Sequence, residues 1–176
     1  MVASVRDARA DDAQVIAEIQ NALLATTAIE WTDAPHTAEE RAAWVAAHQI
    51  VGEPVLVAEV DGEVVGFGSY GEFRDSTKWP GYRLTVEHTV HVREDHWGSG
   101  VGRLLMSALI EHASAAGKHI MVAAVDGEND ASIRFHERLG FTEVARMPQV
   151  GTKFGRWLDL VLLQLILRDA PPPPPS

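Results

Sequence analysis

The chain is predicted to fold as a mixed α/β domain whose sheet is mostly antiparallel and flanked by helices. Three observations carry this. Pro54–Val60 and Glu63–Phe73 are apolar, β-prone runs joined by Asp61-Gly62, a two-residue hairpin signal because both residues tolerate positive φ. Thr85–Val92 leads into Gly98, Gly100 and Gly102 and then into a run with helical spacing, which reads as strand, glycine loop and helix. Ile120–Val125 is nearly all apolar, as a central parallel strand would be, and completes a β-α-β unit.

The remaining elements follow in order. Val2–Ala8 is a short strand, and Asp11 heads a helix carrying Val15, Ile16, Ile19 and Leu23 at helical spacing. Ala28–Asp33 is a loop that could line a cleft. Thr37 and Glu40 form a capping-box pattern for a second helix through Trp44 and Val45. After the glycines, Val101, Leu104, Leu105, Ala108, Leu109 and His112 fall on one helical stripe that Gly117 ends. Ala131–Leu139 is a short helix closed by Gly140, and Glu143–Gln149 and Asp159–Leu167 are closing strands.

With 176 residues, the chain is expected to form one domain over residues 1–170, followed by a disordered, proline-rich tail, 171–176. Fifteen basic against 25 acidic residues give a net charge of -10, which argues against nucleic acid and anionic membranes as partners. No cysteine is present, so an acyl-cysteine intermediate is impossible. The first twenty residues lack an apolar signal core, and Leu158–Leu167 is too short and too polar to span a bilayer, so a cytoplasmic protein is expected. The eight histidines show no paired-ligand spacing, and no metal is assigned.

The chemistry concentrates around the glycine loop. Backbone N–H groups free of Cβ atoms can close around an anion, and the positive end of the following helix points at the same place. Glu87, on the strand just upstream, is a candidate base. A bound pyrophosphate would have to be held by these local N–H groups, because the overall charge is negative.

Trp97-Gly-Ser-Gly-Val-Gly102 resembles the acyl-coenzyme A motif of the GNAT superfamily of N-acetyltransferases, with Trp97 where Gln or Arg is usual. Asn129–Phe141 resembles the second coenzyme-binding segment of the same superfamily. Thr85–Val90 and Met147–Leu160 resemble, more narrowly, the phosphinothricin and the methionine sulfoximine and sulfone acetyltransferases.

The resemblance implies a GNAT-type fold over most of the chain, acetyl-CoA as co-substrate, a homodimer, and transfer of acetyl to the α-amino group of a small amino acid. It implies Glu87 as base and His136, where many relatives carry tyrosine, as a helper in protonating the thiolate or stabilising the oxyanion. Coenzyme contacts are expected at His88, Thr89 and Val90, along the loop His96, Trp97, Gly98, Ser99, Gly100, Val101, Gly102 and Arg103, and at Asn129 and Ser132. Arg74 and Arg83 are expected to clamp the acceptor's carboxylate, with Tyr82 beside them. Two alternatives stay open: another amine acceptor (a polyamine, an aminoglycoside or a protein N-terminus), and a non-catalytic acyl-CoA sensor.

Overall fold

The computed structural model describes residues 2–173. The last three residues of the proline tail lie outside them. Seven strands form one sheet in the order β1-β2-β3-β4-β5-β7-β6. They are β1 (Ala3–Asp7), β2 (Val55–Val60), β3 (Glu63–Glu72), β4 (Thr85–Val92), β5 (Ile120–Asp126), β6 (Thr142–Lys153) and β7 (Arg156–Ile166). Every neighbouring pair is antiparallel except β4 and β5. The expected α/β architecture is therefore the one observed.

Local chemistry explains most boundaries. The helix α1 (Ala13–Thr26) starts just after Asp11 and Asp12, which belong to a short 3-10 turn, Ala10–Asp12, that precedes it. Asp12 is fixed there by a two-pronged bond from Arg6 at 2.7 and 2.9 Å and by the Arg9 N–H at 2.7 Å. The helix α2 (Ala38–Val51) opens with the expected capping box: the Glu40 N–H bonds Thr37 Oγ1 at 3.1 Å and the Thr37 N–H bonds Glu40 Oε2 at 2.8 Å. Asp61 and Gly62 have φ of 51° and 88°, as a primed hairpin turn requires.

The helices α1 and α2 cover one face of the sheet, packing Ile16, Ile19, Leu23 and Val45 onto Val55, Val57 and Phe67. On the other face, α3 (Val101–Ala115) packs across β1, β2, β3 and β4 and buries Leu105, Met106 and Leu109, while α4 (Asp130–Arg138) packs on β5 and β6 and buries Ile133. Leu104, expected on the buried stripe, is instead at the exposed border, and Met106 and Ala113 are buried.

The hairpin β6–β7 is longer than the two closing strands expected from sequence. Pro148 and Gln149 sit in a register shift between Met147 and Gly151 on the edge strand, where a missing N–H and a positive φ are tolerated. That interruption hides the continuation to Lys153.

β3 carries Gly66 and Gly68 beneath α3. A Cβ at Gly66 would lie 2.9 Å from the His91 carbonyl and 3.4 Å from Leu105 Cδ1. Backbone cannot yield cheaply, so Gly66→Ala is expected to destabilise by about 1–3 kcal/mol, the usual range for overpacking. Urea unfolding midpoints measure this, and an unchanged midpoint would mean that α3 has room to move.

Candidate active site

β4 and β5 are in register only at Thr85↔Ile120, Val86↔Met121 and Glu87↔Val122. Beyond Glu87 they part: β4 stays paired with β3 as far as Val92, and β5 with β7 as far as Asp126. The result is a wedge-shaped opening inside the sheet. The Phe73 N–H bonds the Thr85 carbonyl and the Arg93 N–H bonds the Val65 carbonyl. In an antiparallel ladder this turns the backbone of odd-numbered β4 residues toward β3. His88, Val90 and Val92 therefore direct N–H and C=O into the opening, where they need partners.

One of these groups is satisfied within the chain. The Trp97 indole N–H donates to the Val92 carbonyl at 2.7 Å. The residue that departs from the usual motif thus closes the end of the wedge.

The opening belongs to a cleft of about 800 Å³. Of the sequence-predicted residues, Glu87, His88, Thr89, Val90, His96, Trp97, Gly98, Gly100, Gly102, Arg103, Asn129, Ser132 and His136 line it. Gly98 and Gly100 have φ of 74° and 97°, conformations that side chains resist. The Ser99 N–H and hydroxyl both bond the His96 carbonyl, at 3.3 and 2.6 Å. Ser99 thus shapes the turn, while the Val101 side chain is buried in the core. Among the described residues, the N–H groups of Val101, Gly102 and Arg103 find no protein acceptor, as expected at a helix start. Three free donors on the positive end of α3 make an anion cradle.

Two further cations face the cleft. Arg103 and Arg138 both line it, and neither joins an ion pair among the described residues. Arg138 was missed in the sequence because a basic residue in the last turn of a helix is ordinary. Asn129 caps α4, its Oδ1 accepting the Ser132 N–H at 3.0 Å. Its amide NH2 remains available to a ligand.

Glu87 is half-buried in the cleft and has no ion-pair partner among the described residues. Burial alone pushes its carboxyl above the usual carboxylate range. Glu30, from the loop after α1, also lines the cleft, but its surroundings differ. Burial pushes its carboxyl up, yet His91 and a 2.5 Å bond from Gln20 Nε2 outweigh that and hold it at about 2. His91 Nε2 lies 3.1 Å from Glu30 Oε1, off the line of a good hydrogen bond.

His136 is buried, and both its ring nitrogens are engaged. Nδ1 lies 2.7 Å from the Ser132 carbonyl, which can only accept, so Nδ1 carries the proton. Nε2 faces His88 Nε2 at 3.2 Å. Burial lowers the pKa of both rings, that of His88 to about 3 with a further contribution from His136. Both are therefore neutral at pH 7. His88 Nε2–H donates to His136, and His88 Nδ1 is left without a partner. Acid catalysis by His136 would require one of these bonds to open.

The expected carboxylate clamp is not assembled in the cleft. Arg74, Tyr82 and Arg83 do not line it. The Arg74 guanidinium stacks on its own neighbours Phe73 and Tyr82, each at 5.5 Å, and Arg83 bonds the Pro80 carbonyl at 3.1 Å. Short-range contacts hold the 73–84 loop against itself.

Parted central strands, a glycine-spaced helix start and a cleft carboxylate are the marks of an acyl-CoA-dependent acetyltransferase. The acetyltransferase (GNAT) family model matches residues 15–141, and the chain belongs to that family. It is 48% identical to the L-amino acid N-acyltransferase MnaT of Escherichia coli (strain K12), over 97% of each chain. It is 48% identical to the L-methionine sulfoximine/L-methionine sulfone acetyltransferase of Salmonella typhimurium, over 94% of this chain and 95% of that one. A solved Salmonella typhimurium structure, described as holding its cofactor acetyl-CoA, matches all of both chains with a TM-score of 0.94 at 45% identity.

The neutral histidine pair makes stability depend on pH. In the unfolded chain a histidine takes a proton near pH 6.5, whereas folded His88 does so only near 3. The unfolded state therefore binds more protons below pH 6.5, and stability falls as pH falls. The expected slope approaches about 1.4 kcal/mol per pH unit for each histidine kept neutral. Unfolding free energies at pH 7 and 5 test this, and His88→Phe should remove one proton's share. Equal stability at the two pH values would contradict the assignment.

Proposed function

We propose that the chain transfers acetyl from acetyl-CoA to the α-amino group of a small amino acid, with methionine sulfoximine, methionine sulfone and phosphinothricin as the preferred class. The observation that carries the reaction type is Glu87: a half-buried carboxylate, unpaired and of raised pKa, where β4 and β5 part. The acceptor class is supported by what the relatives act on. One phosphinothricin N-acetyltransferase, from Alcaligenes faecalis, is 35% identical over 92% of this chain.

In this reading the pyrophosphate sits on the N–H groups of Val101, Gly102 and Arg103, with Arg103 and Arg138 adding positive charge. Asn129 and Ser132 contact the pantetheine arm. The thioester carbonyl lies in the wedge, where the Val90 N–H receives its developing oxyanion. Once the ammonium has given up one proton, the amine lone pair attacks the carbonyl carbon and the C–N bond forms. The C–S bond breaks, coenzyme A leaves as thiolate, and the second proton shed by the nitrogen ends on its sulfur. Glu87 takes the ammonium's proton, directly or through water. The His88–His136 pair forms the wall beside the reacting centre, with His136 placed to assist the departing thiolate if its bond to His88 opens. Turnover with Glu87 in place distinguishes an enzyme from an acyl-CoA sensor.

The finer biology belongs to the same proposal. Residues 1–170 act as one domain in the cytoplasm, and no helix among the described residues is long and apolar enough to cross a membrane. A homodimer is supported by the edge position of β6 and by Met147, Val150, Phe154 and Trp157 exposed around its hairpin. One observation favours a second acceptor class: Arg74 and Arg83 stand outside the cleft while Glu30 and Glu87 line it, which suits a polyamine.

Glu87→Gln is expected to keep acetyl-CoA binding and to lower kcat by about 10²–10⁴-fold. In the native protein kcat/KM should rise with pH as Glu87 loses its proton, and that limb should vanish in the variant. Release of coenzyme A thiol with methionine sulfoximine, its methyl ester and spermidine identifies the acceptor. The amino-acid reading expects the free acid to be used best. An unchanged rate in Glu87→Gln would remove the base, and activity confined to spermidine would replace the acceptor.

A further inference from the structure

Lys153 ends β6 and is only 4% exposed. Its Nζ donates to three carbonyls: Leu24 at 2.9 Å, Thr27 at 2.8 Å and Glu30 at 2.8 Å. A neutral amine has two N–H donors, so three donated bonds require the ammonium. No carboxylate pairs with it among the described residues. Its charge is instead met by carbonyl dipoles at the C-terminal end of α1, where helix carbonyls lack partners and the helix carries its negative end.

The hairpin tip completes the enclosure. The Phe154 ring lies 4.9 Å from Lys153 Nζ, in cation–π range. Phe154 has a φ of 51°, a conformation rare for a bulky side chain, in a two-residue turn that ordinarily favours Asn-Gly. Holding a ring over the ammonium is the contact obtained in exchange for that strain. Gly151, two residues earlier on the same strand face, supports the ring of Trp31, and any Cβ there would overlap that ring. One hairpin tip therefore grips Thr27 and Glu30 by their carbonyls and Trp31 by its ring. Ile29, Glu30 and Trp31 line the cleft with Glu87.

We infer that Lys153 is a positioning residue for the amine acceptor: with Gly151 and Phe154 it clamps the Thr27–Trp31 segment into the acceptor wall of the cleft. This rests on the reading that the Glu87 side of the cleft takes the acceptor. The coenzyme side, built from α3 and α4, does not depend on the clamp.

Three variants of the full chain test it: Lys153→Met, Gly151→Ala and Phe154→Gly. Each is compared with the native protein, using whichever acceptor the native protein acetylates best. The acetyl-CoA Kd should stay within about twofold, while the acceptor KM rises about tenfold or more and kcat changes less. Amide hydrogen exchange in residues 27–31 should quicken. Phe154→Gly is the discriminating variant: it relieves the positive φ, so Tm should not fall, yet the acceptor KM should rise while sedimentation shows the native oligomeric state, because Phe154 also lies on the proposed dimer face. Native kinetics in Phe154→Gly and Gly151→Ala would overturn the inference and leave Lys153 as a folding residue, as would equal loss of affinity for both substrates. Failure of the native protein to acetylate methionine sulfoximine would count against the acceptor class and not against the clamp.

Discussion

The whole site depends on one constraint: β4 and β5, the only parallel neighbours among the described residues, share three rungs and then separate. A sheet interior normally satisfies its backbone by pairing, and this one leaves one edge of each central strand open. The outer strands make that possible, because β3 and β7 keep their ladders while the centre parts. The connection between the parted strands is α3, so its N-terminus falls at the mouth of the wedge with its N–H donors unpaired. Gly66 and Gly68 let α3 lie close to β3, which keeps that mouth in place. In the proposed reading, a thioester arm and a pyrophosphate find donors already aligned by the fold.

Local dipoles do what the net charge cannot. A chain of charge -10 has no global attraction for a polyanion, so in the proposed reading binding falls to the α3 N–H groups and to Arg103 and Arg138. The same cleft separates two carboxylates by their surroundings. Glu30, bonded to Gln20 and beside His91, is held well below the usual carboxylate range, whereas burial pushes the unpaired Glu87 carboxyl above it. Environments that drive two carboxylates apart assign their roles. Glu30 orders the loop, and Glu87 is the carboxylate proposed to take the proton.

Patterns carried by neighbours in sequence were legible. The capping box at Thr37 and Glu40, the Asp61-Gly62 turn, the β4 limits and the glycine loop all rest on contacts within a few residues, and the structure shows each. Glu87 was legible as a charged residue on the strand that feeds the loop. Contacts between distant segments were not. His88 and His136 are ordinary residues in their own elements and become a pair only when α4 packs on the sheet. Arg74 and Arg83 looked like a clamp, but the loop that carries them satisfies them within itself. Lys153 stood in a recognisable block, yet its partners lie at the far end of α1. Trp97 shows the reverse: an apparent departure from a motif whose purpose, closing the Val92 carbonyl, is visible only once the strands have parted.

Amide-resolved NMR of the protein with and without acetyl-CoA tests the central claim most directly. If the parted strands and the α3 terminus form the coenzyme site, acetyl-CoA should shift the N–H signals of Val90, Val101, Gly102 and Arg103 and slow their exchange. The Ser99 N–H, already bonded to His96, should be much less affected. Saturable acetyl-CoA binding that leaves those four amides unchanged would contradict the account.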